Sequence, residues 1–218
     1  MKSPQFCTLY VVRHGQSEGN VKRLVQGHKN YPLTTHGEIQ AAQTASVLKD
    51  IPFAAVYASD LLRAHRTAQI IALEKKLAVA TTEALRERTF GSFENYSYED
   101  YEREFQKQHE LIKQLTRQQQ LAFQYHPEIE SDAQVVSRVF TFLREISLAH
   151  LGKNVLIVSH GGVLFSILVH LGVADRKYVH EGIIGNAGYL KLECDGSDFK
   201  VTDLYNISSI KLVRQQPE

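Results

Sequence analysis

Hydrophobic residues fall along this chain in short blocks, separated by polar stretches that carry glycine or proline. The first block, Cys7-Thr8-Leu9-Tyr10-Val11-Val12, is rich in β-branched and aromatic side chains and is stopped by Arg13-His14-Gly15. A block of that length and make-up predicts a buried strand. The same reasoning predicts strand 6–12, loop 13–34, helix 36–49, strand 53–58, helix 60–73 and strand 77–82. A polar, helix-prone stretch runs from about 94 to 125. A long helix at 132–150, strand 154–159, helix 161–171 and strands near 187–193 and 199–205 complete the order.

Two segments carry sharper signals. Ser131 with Gln134 three residues on makes a capping box, after which Val135, Val136, Val139, Phe140, Leu143 and Ile146 repeat at helical spacing. Val155-Leu156-Ile157-Val158 is apolar without interruption, as a central parallel strand buried on both faces requires. Strands alternating with helices predict an α/β three-layer sandwich with a mostly parallel central sheet and helices on both faces. The polar stretch fits a small helical cap, spanning 94–131, inserted into a single domain of residues 1–218. Its Tyr96, Tyr98, Tyr101, Phe105, Phe123 and Tyr125 fit either an apolar substrate wall or the packing of cap helices against one another. Glu99, Asp100, Glu102 and Glu104 read as a solvated face.

Composition narrows the function classes. The 43% hydrophobic content is enough for a core in a chain of 218 residues. Twenty-five basic against 24 acidic side chains leave a net charge of +1, so nothing suggests a nucleic-acid partner. No apolar run approaches the length that spans a bilayer, and Lys2-Ser3-Pro4-Gln5 does not open a signal peptide. Cys7 and Cys194 are the only cysteines and fall in strand-like runs. They read as small core residues in a cytoplasmic protein. Ten histidines invite thought of a metal, but no His-x-x-x-His spacing occurs. His28, His36, His109, His126, His150, His170 and His180 read as surface or structural residues. The polar tail 211–218 reads as frayed.

The chemistry concentrates at predicted strand ends. Arg13-His14-Gly15 follows the first strand, Arg63 opens the helix after the second, and Ser159-His160-Gly161-Gly162 follows Val155–Val158. Ligands of open α/β sheets bind at such ends, and the helix after Gly161 offers free N–H groups to an anion. Glu87 lies in Leu85-Arg86-Glu87-Arg88. A phosphomonoester needs a nucleophile, fixed positive charge on its oxygens and a proton for its leaving alkoxide. Neutral His14 fits the first need, Arg13, Arg63 and His160 the second, and Glu87 the third. Each residue taken singly also fits a plainer role. Arg13 could pair with a surface carboxylate, the histidines could sit hydrogen-bonded in the core, and Glu87 could pair with Arg86 or Arg88.

Taken together, the motifs resemble the histidine phosphatase superfamily, the phosphoglycerate mutase-like clan. The likeness begins with Val11-Val12-Arg13-His14-Gly15-Gln16-Ser17-Glu18-Gly19-Asn20, Gln26-Gly27 and Pro32-Leu33-Thr34. It continues through Ser59-Asp60-Leu61 with Arg63-Ala64 and Thr67-Ala68, then Leu85-Arg86-Glu87 with Gly91, and Glu130-Ser131. It ends with Ser159-His160-Gly161-Gly162 and Gly185-Asn186-Ala187. The resemblance implies that His14 accepts the phosphoryl group and Glu87 donates the proton. Arg13, Arg63 and His160 would complete the phosphate pocket, with Asn20, Gln26, Gly27 and Gly161 lining it. It implies no metal, no cofactor and a small phosphorylated substrate. Members of the mutase branch carry a longer insertion with paired arginines. Residues 94–131 hold no Arg-Arg pair and open acidic, which favours a phosphatase, although Arg103, Lys107, Lys113 and Arg117 keep the mutase reading open. A non-catalytic phospho-ligand binder is the reading from another class, and it has no need of Glu87. A homodimer stays open.

Overall fold

A computed structural model describes residues 6–73, 75–176 and 183–208. Six strands form one sheet: β1 (Cys7–Arg13), β2 (Phe53–Ser59), β3 (Val79–Thr82), β4 (Asn154–Ser159), β5 (Ile184–Cys194) and β6 (Phe199–Ile207). The helices are α1 (Glu18–Val21), α2 (Thr35–Val47), α3 (Leu62–Leu73), α4 (Tyr98–Glu104), α5 (Gln106–Ile112), α6 (Arg117–Ala122), α7 (Asp132–Ala149) and α8 (Gly161–His170). Single turns of 3₁₀ helix lie at Glu83–Leu85 and Gly91–Phe93.

The sheet order is β3-β2-β4-β1-β5-β6. β1, β4, β2 and β3 pair in parallel, while β5 joins β1 and β6 joins β5 antiparallel. Alternate residues of the central strands feed two separate cores, as the period of two requires. Leu9, Val11, Val155 and Ile157 face α7 and α8, whereas Tyr10, Val12, Leu156 and Val158 face α2 and α3. That two-sided burial is why β1 and β4 read as unbroken apolar runs. Cys7 and Cys194 are buried free thiols opposite each other on β1 and β5. Burial pushes the Cys7 thiol up to about 11, in keeping with a small core residue.

The capping box of α7 is present: the Ser131 hydroxyl accepts from the Gln134 N–H, and the Gln134 carboxamide accepts from the Ser131 N–H. Some boundaries move. Arg13 is the last residue of β1 rather than the first of the loop. The expected loop 13–34 contains α1, four residues long and too short to show an apolar period. The stretch 94–125 becomes the three short helices α4 to α6. β5 begins at Ile184, with an irregularity in its pairing to β6 between Ile184 and Tyr189. The earlier start was hidden by the polar, glycine-bearing text of that bulge. His180 and the tail 211–218 lie outside the described residues. Among the described residues, no helix is long and apolar enough to cross a membrane.

Candidate active site

The ends of β2, β4 and β1, three neighbours in the sheet, deliver Arg63, His160 and His14 to one place. His14 is hydrogen-bonded through its backbone N–H to the Ser159 carbonyl at 3.0 Å, so the ends of β1 and β4 are tied together. The imidazole rings of His14 and His160 stand edge to face with centroids 5.2 Å apart. The turn after His14 packs on the start of α2. A Cβ on Gly15 would lie 2.3 Å from the Gly37 carbonyl oxygen, so only glycine fits.

His14 is held in one tautomer. Its Nδ1 donates to the Gly15 carbonyl at 2.7 Å, because a carbonyl can only accept. Its Nε2 therefore carries the lone pair, which accepts from Arg63 Nε at 3.2 Å. Burial, then the charges of Arg63 and Arg13, hold the His14 pKa well below the ordinary imidazole value. Burial, Arg63 and His14 do the same to His160. Both rings are held neutral, and the Nε2 lone pair of His14, the candidate nucleophile, is engaged by the Arg63 Nε–H.

Arg63 is almost wholly buried. Besides His14 it reaches the carbonyls of Lys29 and Gly27, each at 2.8 Å, and so straps the loop 26–30 across the site. Burial pulls its pKa down to about 10, against the opposing pull of Glu87 and Glu94. Arg13 donates to the Ile184 carbonyl and lies across Gly161, where a Cβ would come within 3.2 Å of its Nε. Among the described residues, neither ring nitrogen of His160 nor Nε of Arg13 has a hydrogen-bond partner, and all three are buried. A buried polar group left unpaired costs about 1–3 kcal/mol. An oxyanion here would accept from Arg13 Nε and from the single N–H of a neutral His160, at the positive N-terminus of α8, whose N-cap is His160 itself.

Glu87 joins the cluster. Its carboxylate accepts from the Gly162 N–H at 2.9 Å and from the Arg88 N–H at 2.8 Å. Its charge is felt at both Arg13 and Arg63. It pairs with neither neighbouring arginine side chain, since Arg86 binds Asp60 and Glu83 while Arg88 binds Asp132. Among the other expected residues, Gly27 contributes its carbonyl to Arg63 and Gly161 its bare backbone to Arg13. The carboxamide oxygens of Asn20 and Gln26 share the Ser17 hydroxyl, at 2.9 and 2.8 Å, so they stiffen the loop beside the site.

Several supporting residues were given no role at the site by the sequence. Thr67 accepts from the Gly15 N–H and donates to the Arg63 carbonyl, linking nucleophile and strap. Asn186 donates to the His14 carbonyl at 3.2 Å. Its neighbour Ala187 sits in the left-handed region at φ +56°, held by a bond to the same carbonyl and by the Thr44 hydroxyl. Gly185-Asn186-Ala187 was visible as text, without a role. His28, expected as a surface or structural residue, donates Nε2 to the Glu87 carbonyl at 2.9 Å. Arg138 donates to that carbonyl too, at 3.1 Å, and is itself clamped by Glu130. Tyr98 lies within electrostatic reach of Arg13 and Arg63. Among the described residues, no three His, Cys, Asp or Glu side chains converge as a metal site.

The model of the histidine phosphatase superfamily, branch 1, matches residues 9–207. The chain belongs to the histidine phosphatase superfamily. It is 27% identical to the uncharacterised phosphatase PhoE of Bacillus subtilis over 199 residues, covering 91% of this chain and 94% of that protein. It is 32% identical to phosphoglycerate mutase-like protein 4 of Arabidopsis thaliana over 174 residues, 79% of this chain and 74% of the relative. Among solved structures, a phosphoglycerate mutase from Bacillus anthracis superposes with a TM-score of 0.79 at 27% identity, covering 92% and 93% of the two chains. The relatives thus carry both phosphatase and mutase names, and the superfamily assignment places this chain among enzymes of that phosphatase or mutase-like kind.

Proposed function

We propose that this protein is a metal-independent phosphomonoesterase that works through a phosphohistidine on small phosphorylated metabolites. The observation that carries the reading is the buried His14 ring, its Nδ1–H on the Gly15 carbonyl and its Nε2 lone pair turned to Arg63, beside buried donors of Arg13 and His160 that have no partner among the described residues. In the first step His14 Nε2 attacks phosphorus and the P–O bond to the leaving group breaks. Glu87 gives the departing alkoxide its proton. Each Glu87 oxygen accepts one backbone N–H, which leaves a second lone pair on each for that proton. In the second step Glu87 takes a proton from water as the water attacks the phosphohistidine, releasing inorganic phosphate and restoring His14. Arg13, Arg63 and His160 hold the equatorial oxygens, where charge accumulates. Two guanidinium groups beside the nucleophile repel a metal cation and do its electrostatic work.

Water rather than a second substrate site is favoured as the acceptor by the engagement of three of the four cap cations, Arg103, Lys113 and Arg117, with Lys107 the exception among the described residues. Arg103 is engaged by Asp100 and Lys113 by Glu110, and Arg117 donates to the His170 carbonyl at 3.2 Å. Arg88 and Arg176 both close on Asp132. A bisphosphate held for reorientation needs cations of its own near the phosphohistidine.

The test is hydrolysis of p-nitrophenyl phosphate in the presence of EDTA, with trapping of an acid-labile phosphoenzyme. Activity persists in EDTA, vanadate inhibits as a five-coordinate analogue, and His14→Ala loses activity and phosphoenzyme together, by roughly 10⁵–10⁶-fold as for other nucleophile deletions. Interconversion of 2- and 3-phosphoglycerate with a bisphosphate primer, and little hydrolysis, would assign a mutase instead. Binding of phosphate analogues with no turnover at all would leave a non-catalytic binder.

A further inference from the structure

The two backbone N–H groups that hold Glu87 come from different parts of the fold. One is from Arg88, on the connection between β3 and α4, and the other from Gly162, in the first turn of α8. The position of the carboxylate therefore depends on how firmly that connection is fixed to that helix. Neither N–H is a feature of Glu87's own side chain, so a small slip between the two segments would turn or withdraw the carboxylate. Gly162 leaves no slack, since a Cβ there would stand 2.5 Å from Glu87 Oε1.

One buried side chain joins the two segments. Asp132, the first residue of α7, is 1% exposed. Its Oδ1 accepts from the Arg88 guanidinium and, at 2.7 Å, from the Ser166 hydroxyl. Ser166 lies one turn along α8 from Gly162, and its Oγ is also 2.9 Å from the Gly162 carbonyl and 3.4 Å from Arg88 Nη2. The path closes through the first turn of α8: Glu87 carboxylate, Arg88 backbone, Arg88 guanidinium, Asp132, Ser166, the helix backbone to Gly162 and back to Glu87. Oδ2 of Asp132 is taken by Arg176, whose guanidinium lies over the Phe165 ring. Burial alone would raise the Asp132 pKa, but Arg88 and Arg176 more than offset it and keep the group ionised. An ionised, fully bonded carboxylate inside the protein has one geometry available to it, which is what a clamp requires.

We propose that Asp132 is a positioning residue for the proton donor: through Arg88 and Ser166 it fixes the two N–H groups that aim Glu87 at the leaving-group oxygen. Asp132 touches neither substrate nor nucleophile in this scheme. The proposal rests on the phosphomonoesterase reading and adds to it the part of the fold on which protonation of the leaving group depends. A purely structural ion-pair cluster of Asp132 with Arg88 and Arg176 is the competing explanation, and it makes different kinetic predictions.

The experiment compares kcat/KM, which reports the steps through transfer to His14, for glycerol phosphate and p-nitrophenyl phosphate. The alkoxide of the first needs a proton to leave, and the nitrophenolate of the second hardly does. The proteins are wild type, Asp132→Asn, Ser166→Ala, Glu87→Gln and the Glu87→Gln/Asp132→Asn double variant. Asp132→Asn is expected to lose roughly 10–100-fold on glycerol phosphate, the scale of a misplaced catalytic group, and only a few-fold on p-nitrophenyl phosphate. Inhibition by inorganic phosphate stays as in wild type. In the double variant the glycerol phosphate loss equals that of Glu87→Gln alone, because a misaimed acid and an absent one are the same defect. Ser166→Ala removes a single hydroxyl and shows the same selectivity on a smaller scale, and it decides the matter if Asp132→Asn does not fold. Equal losses on both esters, an altered phosphate inhibition constant, or additive losses in the double variant would each overturn the proposal. Wild-type protein that hydrolyses neither ester would instead remove the phosphomonoesterase reading itself.

Discussion

The strand-end pocket and the cap solve opposite problems. In the pocket, contacts join residues far apart in the chain: Arg63 to His14 and Gly27, Glu87 to Gly162, Asn186 to the His14 carbonyl. In the cap, α4 and α6 are capped from within by Ser97 and Thr116. Its ion pairs Arg103–Asp100 and Lys113–Glu110 span three residues each. Its apolar content is a cluster of rings, with Phe93, Tyr101 and Tyr125 all packed on Phe105. The pocket is thus over-determined by the whole sheet, whereas the cap is built largely from local contacts and meets the rest of the fold at a few points, such as Glu94 with the His28 N–H and Arg117 with the His170 carbonyl. Fixed phosphate chemistry and adjustable substrate choice call for that division.

The sharpest way to break this comparison is at Arg63. Arg63→Lys keeps the charge but loses the planar fork. A lysine cannot bond His14 and the carbonyls of Lys29 and Gly27 in the same geometry. Phosphatase kcat/KM should fall by roughly 10²–10³, and the buried Gly27 carbonyl left without its donor should cost about 1–3 kcal/mol of stability. Measured turnover and chemical denaturation check both. Wild-type turnover in the Arg63→Lys protein would mean that the pocket is far less over-determined than its hydrogen bonds indicate.

The neutral imidazoles give a second test. In the unfolded chain a histidine takes up a proton below about pH 6.5. In the folded protein His14 and His160 have their pKa values lowered well below that. Between those limits the unfolded state binds more protons, so stability falls as pH falls. Replacing both rings, in His14→Gln/His160→Gln, should make that slope shallower by up to two protons, about 2.7 kcal/mol per pH unit. Urea denaturation of both proteins from about pH 7 to pH 5 measures it. Identical slopes would mean that the rings are protonated in the fold, and a protonated His14 is no nucleophile.

The same contrast explains what could be read from the sequence. β1 and β4 announce themselves because burial on both faces demands continuous apolar text, and the polar residues that stop them are necessarily at the strand ends. Arg13-His14-Gly15 and Ser159-His160-Gly161 were legible for that reason, as was the start of α7 from its capping box. Thr67, His28 and Arg138 were not, because each acts through a backbone group that only the fold brings near. Asp132 was hidden most thoroughly. It reads as an ordinary acidic residue in the first turn of a helix, a place where such residues are common, and its arginine partners lie 44 positions away on either side.

The smallest expected effect probes the cap directly. Arg103 and Lys113 are exposed, and each is paired with a carboxylate three residues earlier in the chain. Exposed pairs of this kind are screened by water and salt and hold little. Arg103→Ala/Lys113→Ala should leave melting temperature, kcat/KM on p-nitrophenyl phosphate and inhibition by inorganic phosphate indistinguishable from wild type. The informative substrate is a phosphoglycerate, whose carboxylate adds a second anionic group. If the cap cations only solvate the surface, its kcat/KM is also unchanged. A selective rise in KM for the phosphoglycerate, with p-nitrophenyl phosphate unaffected, would mean that one of these side chains leaves its partner to meet the substrate. The cap would then be a recognition arm with cations to spend on a second anion, and the case for water as the sole acceptor would weaken with it.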